Sequence, residues 1–213
     1  MARDYPKEIN KKYNNLYQGK DRWEQLSLRV DYILESIDEI RKIESFDIQA
    51  ELLKGSIIGI VSCIEGYMRL AIRDIINYSE VFSLRADHLK IPNKKILGQN
   101  DNLVSKGDLI SHTISINNLN LLNDYFSILL DIDFLETIKI SPVSDDIDIP
   151  VNEYNSDFFA DISLLFEYRN MFAHELASDI YVDLDGVDYL VSVGFLFIHI
   201  TEEIVDCCLF ETA

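Results

Sequence analysis

The sequence predicts an all-α protein, and three observations carry that expectation. Apolar residues recur at spacings of three and four over long stretches, as they do along one face of a helix. Glycine and proline are scarce, eight and four in 213 residues, too few for the many turns of a sandwich or barrel. An apolar content of 48%, with 11% aromatics, supplies enough buried surface for a bundle of about five or more helices. The expected organisation is a basic, loosely ordered arm over residues 1–20 followed by a single helical domain over 21–213.

The elements follow in order. Residues 1–20 are rich in Lys, Asn and Tyr and carry a net charge of +3. A solvated terminus fits them, and so does an arm whose Tyr5, Tyr13 and Tyr17 stack on bases. From Arg22, the residues Trp23, Leu26, Val30, Ile33, Leu34, Ile37 and Ile40 share a helical face to about Glu44. A second helix is expected from about Asp47 to Tyr78, thinned by Gly55, Gly59 and Gly66, which would permit close helix approach. On it, Glu65, Arg69 and Arg73 lie four apart on one stripe, a spacing that favours ion pairing.

Arg85, His88, Lys90, Lys94 and Lys95 flank a Pro92-Asn93 turn signal. A charged loop and an RNA-contacting loop both fit this cluster. Shorter helices are expected at Lys106–Ser115, Leu119–Leu130 and Phe134–Ile140, and Ser141–Asn152 reads as an acidic loop bracketed by prolines. A helix capped at Asn155 or Ser156 should run through His174 to about Ala177. Over Ile180–Val191 an Asp-Gly pair sits between apolar runs, which suits a small hairpin or a helix–loop–helix equally. The last helix is expected at about Asp188–Phe210, with Val193, Phe197, Ile200, Ile204 and Cys208 on one face.

Composition excludes several function classes. Three cysteines, two of them adjacent, make neither a disulfide framework nor a zinc pattern. The four histidines lack HxxxH or HExxH spacing, so neither a metal nor another cofactor is expected. No GxGxxG, Walker A or GxSxG motif occurs. No uncharged apolar run of spanning length and no apolar leader are evident, so the expected setting is cytoplasmic, without a membrane partner. The net charge of −18 is unevenly spread: residues after 100 carry −19, whereas residues 55–100 carry +2. A phosphate-binding surface should therefore draw on the N-terminal arm and on Arg85, Lys90, Lys94 and Lys95.

Arg169 stands out against that background. It is the only Lys or Arg after Lys139, in a tail crowded with Asp and Glu. On helical periodicity it falls within an apolar stripe of Ile162, Leu165, Phe166, Phe172, Ala173 and Leu176, where an arginine is costly unless paired. Asn170 and His174 lie beside it on a polar stripe, one turn apart.

The stretch Tyr168-Arg169-Asn170-Met171-Phe172-Ala173-His174 resembles the Arg-polar-x-x-x-His signature of the HEPN superfamily of small helical proteins. The resemblance covers roughly Glu44 to the end of the chain. It implies a metal-independent endoribonuclease that acts as a homodimer, often a toxin of a toxin–antitoxin pair or an antiphage-defence effector held by a protein partner. It also makes the Asp47–Tyr78 helix the packing partner of the motif helix, so that Glu65 would neutralise Arg169, or Arg69 and Arg73 would add phosphate contacts. Arg169, Asn170 and His174 are then the candidate catalytic residues, with Glu65, Arg69 and Tyr168 in support.

The residue types suit the chemistry. Histidine exchanges protons near neutrality, and arginine offers a fork of donors matched to phosphate. Asn170 would orient the imidazole or hold a phosphate oxygen. Five residues along a helix turn by about 140° and rise about 7.5 Å, so Arg169 and His174 do not share a face. Either Arg169 curls around the helix, or a second copy completes the site across a two-fold axis. A HEPN-like module that binds a partner or a nucleotide without catalysis is the alternative, and the acidic C-terminal half favours it.

Overall fold

The computed structural model describes residues 5–16, 21–91, 104–144, 146–174 and 180–211. Ten α-helices and one two-stranded hairpin occur among them: α1 (Tyr5–Leu16), α2 (Arg22–Ile40), α3 (Phe46–Tyr78), α4 (Glu80–Arg85), α5 (Lys106–Thr113), α6 (Leu119–Leu130), α7 (Phe134–Ile140), β1 (Pro142–Ser144), β2 (Ile147–Pro150), α8 (Val151–Tyr154), α9 (Phe158–His174) and α10 (Leu184–Glu211). The protein is all-α, as its periodicity predicts.

Helix α3 is the axis of the bundle. Ile57, Ile60, Val61, Ile64, Met68, Ala71, Ile72 and Ile75 are sealed from solvent along it, and α2, α5, α9 and α10 pack around it. Its 33 residues give it the length and hydropathy of a membrane span, although charged residues interrupt its apolar run. Within the most apolar window, 61% is buried by the rest of this chain.

Close approach occurs at Gly59, one of the glycines expected to permit it, and more tightly at a glycine not singled out. A Cβ on Gly194 of α10 would stand 2.8 Å from Ile60 Cγ1 and 3.2 Å from Leu165 Cδ1, so α3, α9 and α10 meet there. Of the three α3 glycines, only Gly59 faces a neighbour, Ile33 of α2, whereas Gly55 and Gly66 open onto free space.

Helix starts follow from side-chain caps. Asp21 accepts from the Glu24 amide at the start of α2, and Ser105 with Asp108 forms a capping box on α5. Asp133 caps α7, and Asp183 accepts from the Gly186 amide to open α10. This last cap overturns the hairpin considered for Ile180–Val191. The Asp-Gly pair lies inside the first turn of α10, and the hairpin forms instead at Pro142–Pro150, within the stretch expected to be an acidic loop. The N-terminal arm also departs from expectation, because residues 5–16 form a helix. Pro6 and Ile9 are buried, and α1 rests against α5. Lys94, Lys95, Tyr17 and the proposed extension of the motif helix to Ala177 lie outside the described residues.

A buried ionic network locks the two ends of the chain to the axis. Arg22, with an 11% exposed side chain, donates from Nε to Glu202 at 2.8 Å, from Nη1 to Asp74 at 3.1 Å and from Nη2 to Asp206 at 3.1 Å. Tyr67 donates its hydroxyl to the same Glu202 oxygen. Burial alone would lower the Arg22 pKa, but Tyr67 and Glu202 beside it raise it instead. Burial first, and the Glu202 charge second, push the Tyr67 hydroxyl well above its ordinary value. A cation in the first turn of a helix opposes the helix dipole, and three carboxylates offset that cost here.

Candidate functional site

The motif helix α9 is entered through a tight turn, in which Asn155 Oδ1 accepts from the Asp157 amide at 2.9 Å. Its first half is core: Phe158, Ile162, Leu165 and Phe166 are buried. Burial stops there. Tyr168, Arg169, Met171 and Phe172 are half-buried, whereas Glu167, Asn170, Ala173 and His174 are exposed. The apolar stripe read from the sequence therefore does not continue as core, since Ala173 faces solvent and only one side of the last two turns is covered.

Arg169 has the neutralising partner that its setting demands. Its Nη2 lies 3.3 Å from Glu65 Oε1 across the α3–α9 contact, with both side chains mostly covered, at 25% and 18% exposed. Its Nη1 donates to the Asn170 side-chain oxygen at 3.0 Å. The guanidinium is thus held by two acceptors while a quarter of the side chain stays open to solvent. Asn170 orients Arg169 here, not His174. Tyr168 stacks on Phe172 with ring centroids 5.3 Å apart, and Lys54 of α3 lies 5.9 Å from the Phe172 ring. His174 ends the described part of α9, five residues and about 140° around the helix from Arg169.

The remaining candidates have structural work. Arg69 donates to the carbonyls of Ser111 and Ile114, at 3.0 and 2.6 Å, and so satisfies the end of α5. Arg85 donates to the Leu129 carbonyl and to Asp131, the left-handed residue that closes α6. Both arginines donate at helix C-termini, which leaves each guanidinium fewer donors for a phosphate. Lys90 and His88 are exposed. Arg73 turns to Asp74, with Nε 2.7 Å from the carboxylate.

Sequence reasoning missed Lys54. It is only 6% exposed, sits 2.8 Å from Glu51, and touches the motif helix through Phe172. A lysine within an apolar helical run was the available signal. The other histidines engage local partners: His199 lies 3.2 Å from Glu203, and His112 lies 3.8 Å from Glu8. Among the described residues no three His, Cys, Asp or Glu side chains converge as a metal-ligand set.

No curated protein and no solved structure matches the chain. A family model does, the one described as RiboL-PSP-HEPN, over residues 24–206. That match spans α2 to α10 and includes the Arg169–His174 helix and its α3 partner. The chain belongs to the RiboL-PSP-HEPN family.

Proposed function

We propose that this protein is a metal-independent endoribonuclease whose reacting groups are Arg169 and His174, with Asn170 as a positioning residue. The observation that carries the reading is the placement of Arg169: fixed by Glu65 and Asn170, partly open to solvent, on the same exposed end of α9 as His174. Preorganised charge of this kind costs no reorganisation when a phosphorane forms. His174 exchanges the protons, and Arg169 stabilises the phosphate oxygens. The RNA 2′-OH attacks the adjacent phosphorus as its proton leaves, and the 5′-oxygen departs with a proton returned to it. One product ends in a 2′,3′-cyclic phosphate and the other begins with a 5′-hydroxyl.

Because Arg169 and His174 point to different sides of one helix, a two-fold pairing of the exposed ends of α9 brings each beside its counterpart. The protein then works as a homodimer in the cytoplasm, as a toxin or antiphage-defence effector held in check by an antitoxin or another regulatory protein. Lys90, Lys94 and Lys95, with the N-terminal arm, give affinity for RNA. A non-catalytic binding module is the second reading, favoured by the −19 charge after residue 100. The assay is cleavage of labelled RNA with and without EDTA, followed by end-group analysis. Cyclic phosphate ends that persist in EDTA support the nuclease. Loss of cleavage in EDTA, or 5′-phosphate ends, overturns its mechanism, and no cleavage at all favours the binding module.

A further inference from the structure

Beside the motif helix, the first two turns of α3 and the residues that lead into α10 line an open cleft of about 420 Å³. That is within the range of small-ligand sites. Its polar groups are Asp47, Glu51, Lys54 and the Tyr181 hydroxyl, and Ile48 and Ile180 supply apolar wall. At its rim Tyr181 stacks on Phe46, with centroids 5.7 Å apart and planes 23° from parallel. Both rings are unusually open for large aromatics, at 61% and 60% exposed. Lys54 belongs to this cleft and to the candidate site alike, since it lies 2.8 Å from Glu51 and 5.9 Å from the Phe172 ring, two residues before His174.

We infer that this cleft is a nucleobase subsite, and that it selects an unpaired guanine in the RNA strand passing the Arg169–His174 helix. The inference rests on the nuclease reading for its placement and on the cleft's own chemistry for its ligand. Two carboxylates against one ammonium repel a phosphate, so the backbone is not what binds here. A base has no charge, and its face stacks on an open aromatic ring. The acceptors then choose among bases. Asp47 and Glu51 lie one turn apart on α3, and a carboxylate accepts two parallel N–H bonds. Guanine alone among the four bases presents two adjacent donors, N1–H and N2–H, on its Watson–Crick edge. Adenine, cytosine and uracil each set a ring acceptor or carbonyl against the carboxylate and are disfavoured. Lys54 engages Glu51, which leaves Asp47 as the principal acceptor; its present contact, from the Tyr181 hydroxyl, is long at 3.5 Å.

The test uses the full chain and fluorescein-labelled 2′-O-methyl pentanucleotides, in which the blocked 2′-oxygen prevents cleavage. The central base is guanine, inosine, adenine or uracil between uridines, and anisotropy titration gives the affinity. Guanine should bind about tenfold or more tighter than adenine or uracil, and inosine, which lacks N2–H, should lose most of that advantage. Asp47→Asn should bring guanine down to the adenine level, and Tyr181→Ala should weaken every oligonucleotide about tenfold. Both positions are exposed, and circular dichroism checks that the variants fold. Equal binding of the four oligonucleotides, or a guanine preference that survives Asp47→Asn, overturns the inference. A chain that selects guanine and cuts no RNA sinks the nuclease reading and keeps this site. A chain that cuts RNA without selecting guanine does the reverse.

Discussion

Replacing Gly194 by alanine places one methyl group at the junction on which the candidate site rests. The new Cβ would stand 2.8 Å from Ile60 Cγ1 and 3.2 Å from Leu165 Cδ1, both on fully buried residues. Overpacking of this kind costs about 1–3 kcal/mol. Alanine also gains about 1 kcal/mol over glycine inside a helix, which hides part of the cost. Gly55→Ala provides the reference, because it sits within α3 with nothing within 4 Å of its Cβ and gains helix propensity alone. The gap between the two variants therefore isolates the contact, and we expect Gly194→Ala to be the less stable by about 2 kcal/mol. At the usual scale for a domain of this length, that is about 4–8 °C in Tm. Urea and thermal unfolding of both variants beside the parent measure it. Equal stability of the two would refute the three-helix junction at Gly194.

Other expectations follow from the same geometry. Arg22→Met takes the cation from the mostly covered carboxylate of Glu202, while Asp74 keeps Arg73 and Asp206 is half exposed, and should cost about 3 kcal/mol, the lower end for an unpaired buried charge; urea unfolding reads it. The Tyr67 hydroxyl has a folded pKa raised well above its ordinary value of 10.0, so the stability it contributes is full below that pH and is lost as pH rises above it. Tyr67→Phe should therefore lose about 1 kcal/mol near neutrality and show a shallower decline above pH 10, measured by unfolding across pH 7–11. Glu65→Gln keeps the shape of the Arg169 partner and removes its charge, and should lower RNA cleavage about tenfold through a misplaced guanidinium, in a single-turnover assay.

Much of the fold was legible because it is written in short-range periodicity. The limits of α3, α6 and α7 follow from apolar spacing, with Asn118 and Asp133 capping the last two, and this needs no knowledge of the rest of the chain. What failed depends on distant partners. The N-terminal arm looked loose because its charge is visible in the sequence and the pocket that receives Ile9 is not. Gly194, buried in an apolar run, carried no sign that Ile60 would press against it, whereas the conspicuous Gly55 and Gly66 face open space. At the candidate site, the oddness of Arg169 within an apolar stripe pointed to a paired arginine, and Glu65 is that pair. The commitment of Arg69 and Arg85 to helix carbonyls was hidden, because a guanidinium bound to a backbone oxygen leaves no trace in the order of residues.

The central claim is that Arg169 and His174 from two copies build one RNA-cleaving site, and mixing two inactive variants tests it most directly. Arg169→Ala and His174→Ala should each lose about two or more orders of magnitude in cleavage. Co-refolded in equal amounts, half of the dimers would be mixed, and each mixed dimer would hold one intact site out of two. About a quarter of the wild-type activity should therefore return, with cyclic phosphate ends and in the presence of EDTA. Cleavage by the wild type with no recovery in the mixture would place the site within a single chain, and a wild type that cuts no RNA, or a His174→Ala variant that cuts normally, would contradict the account.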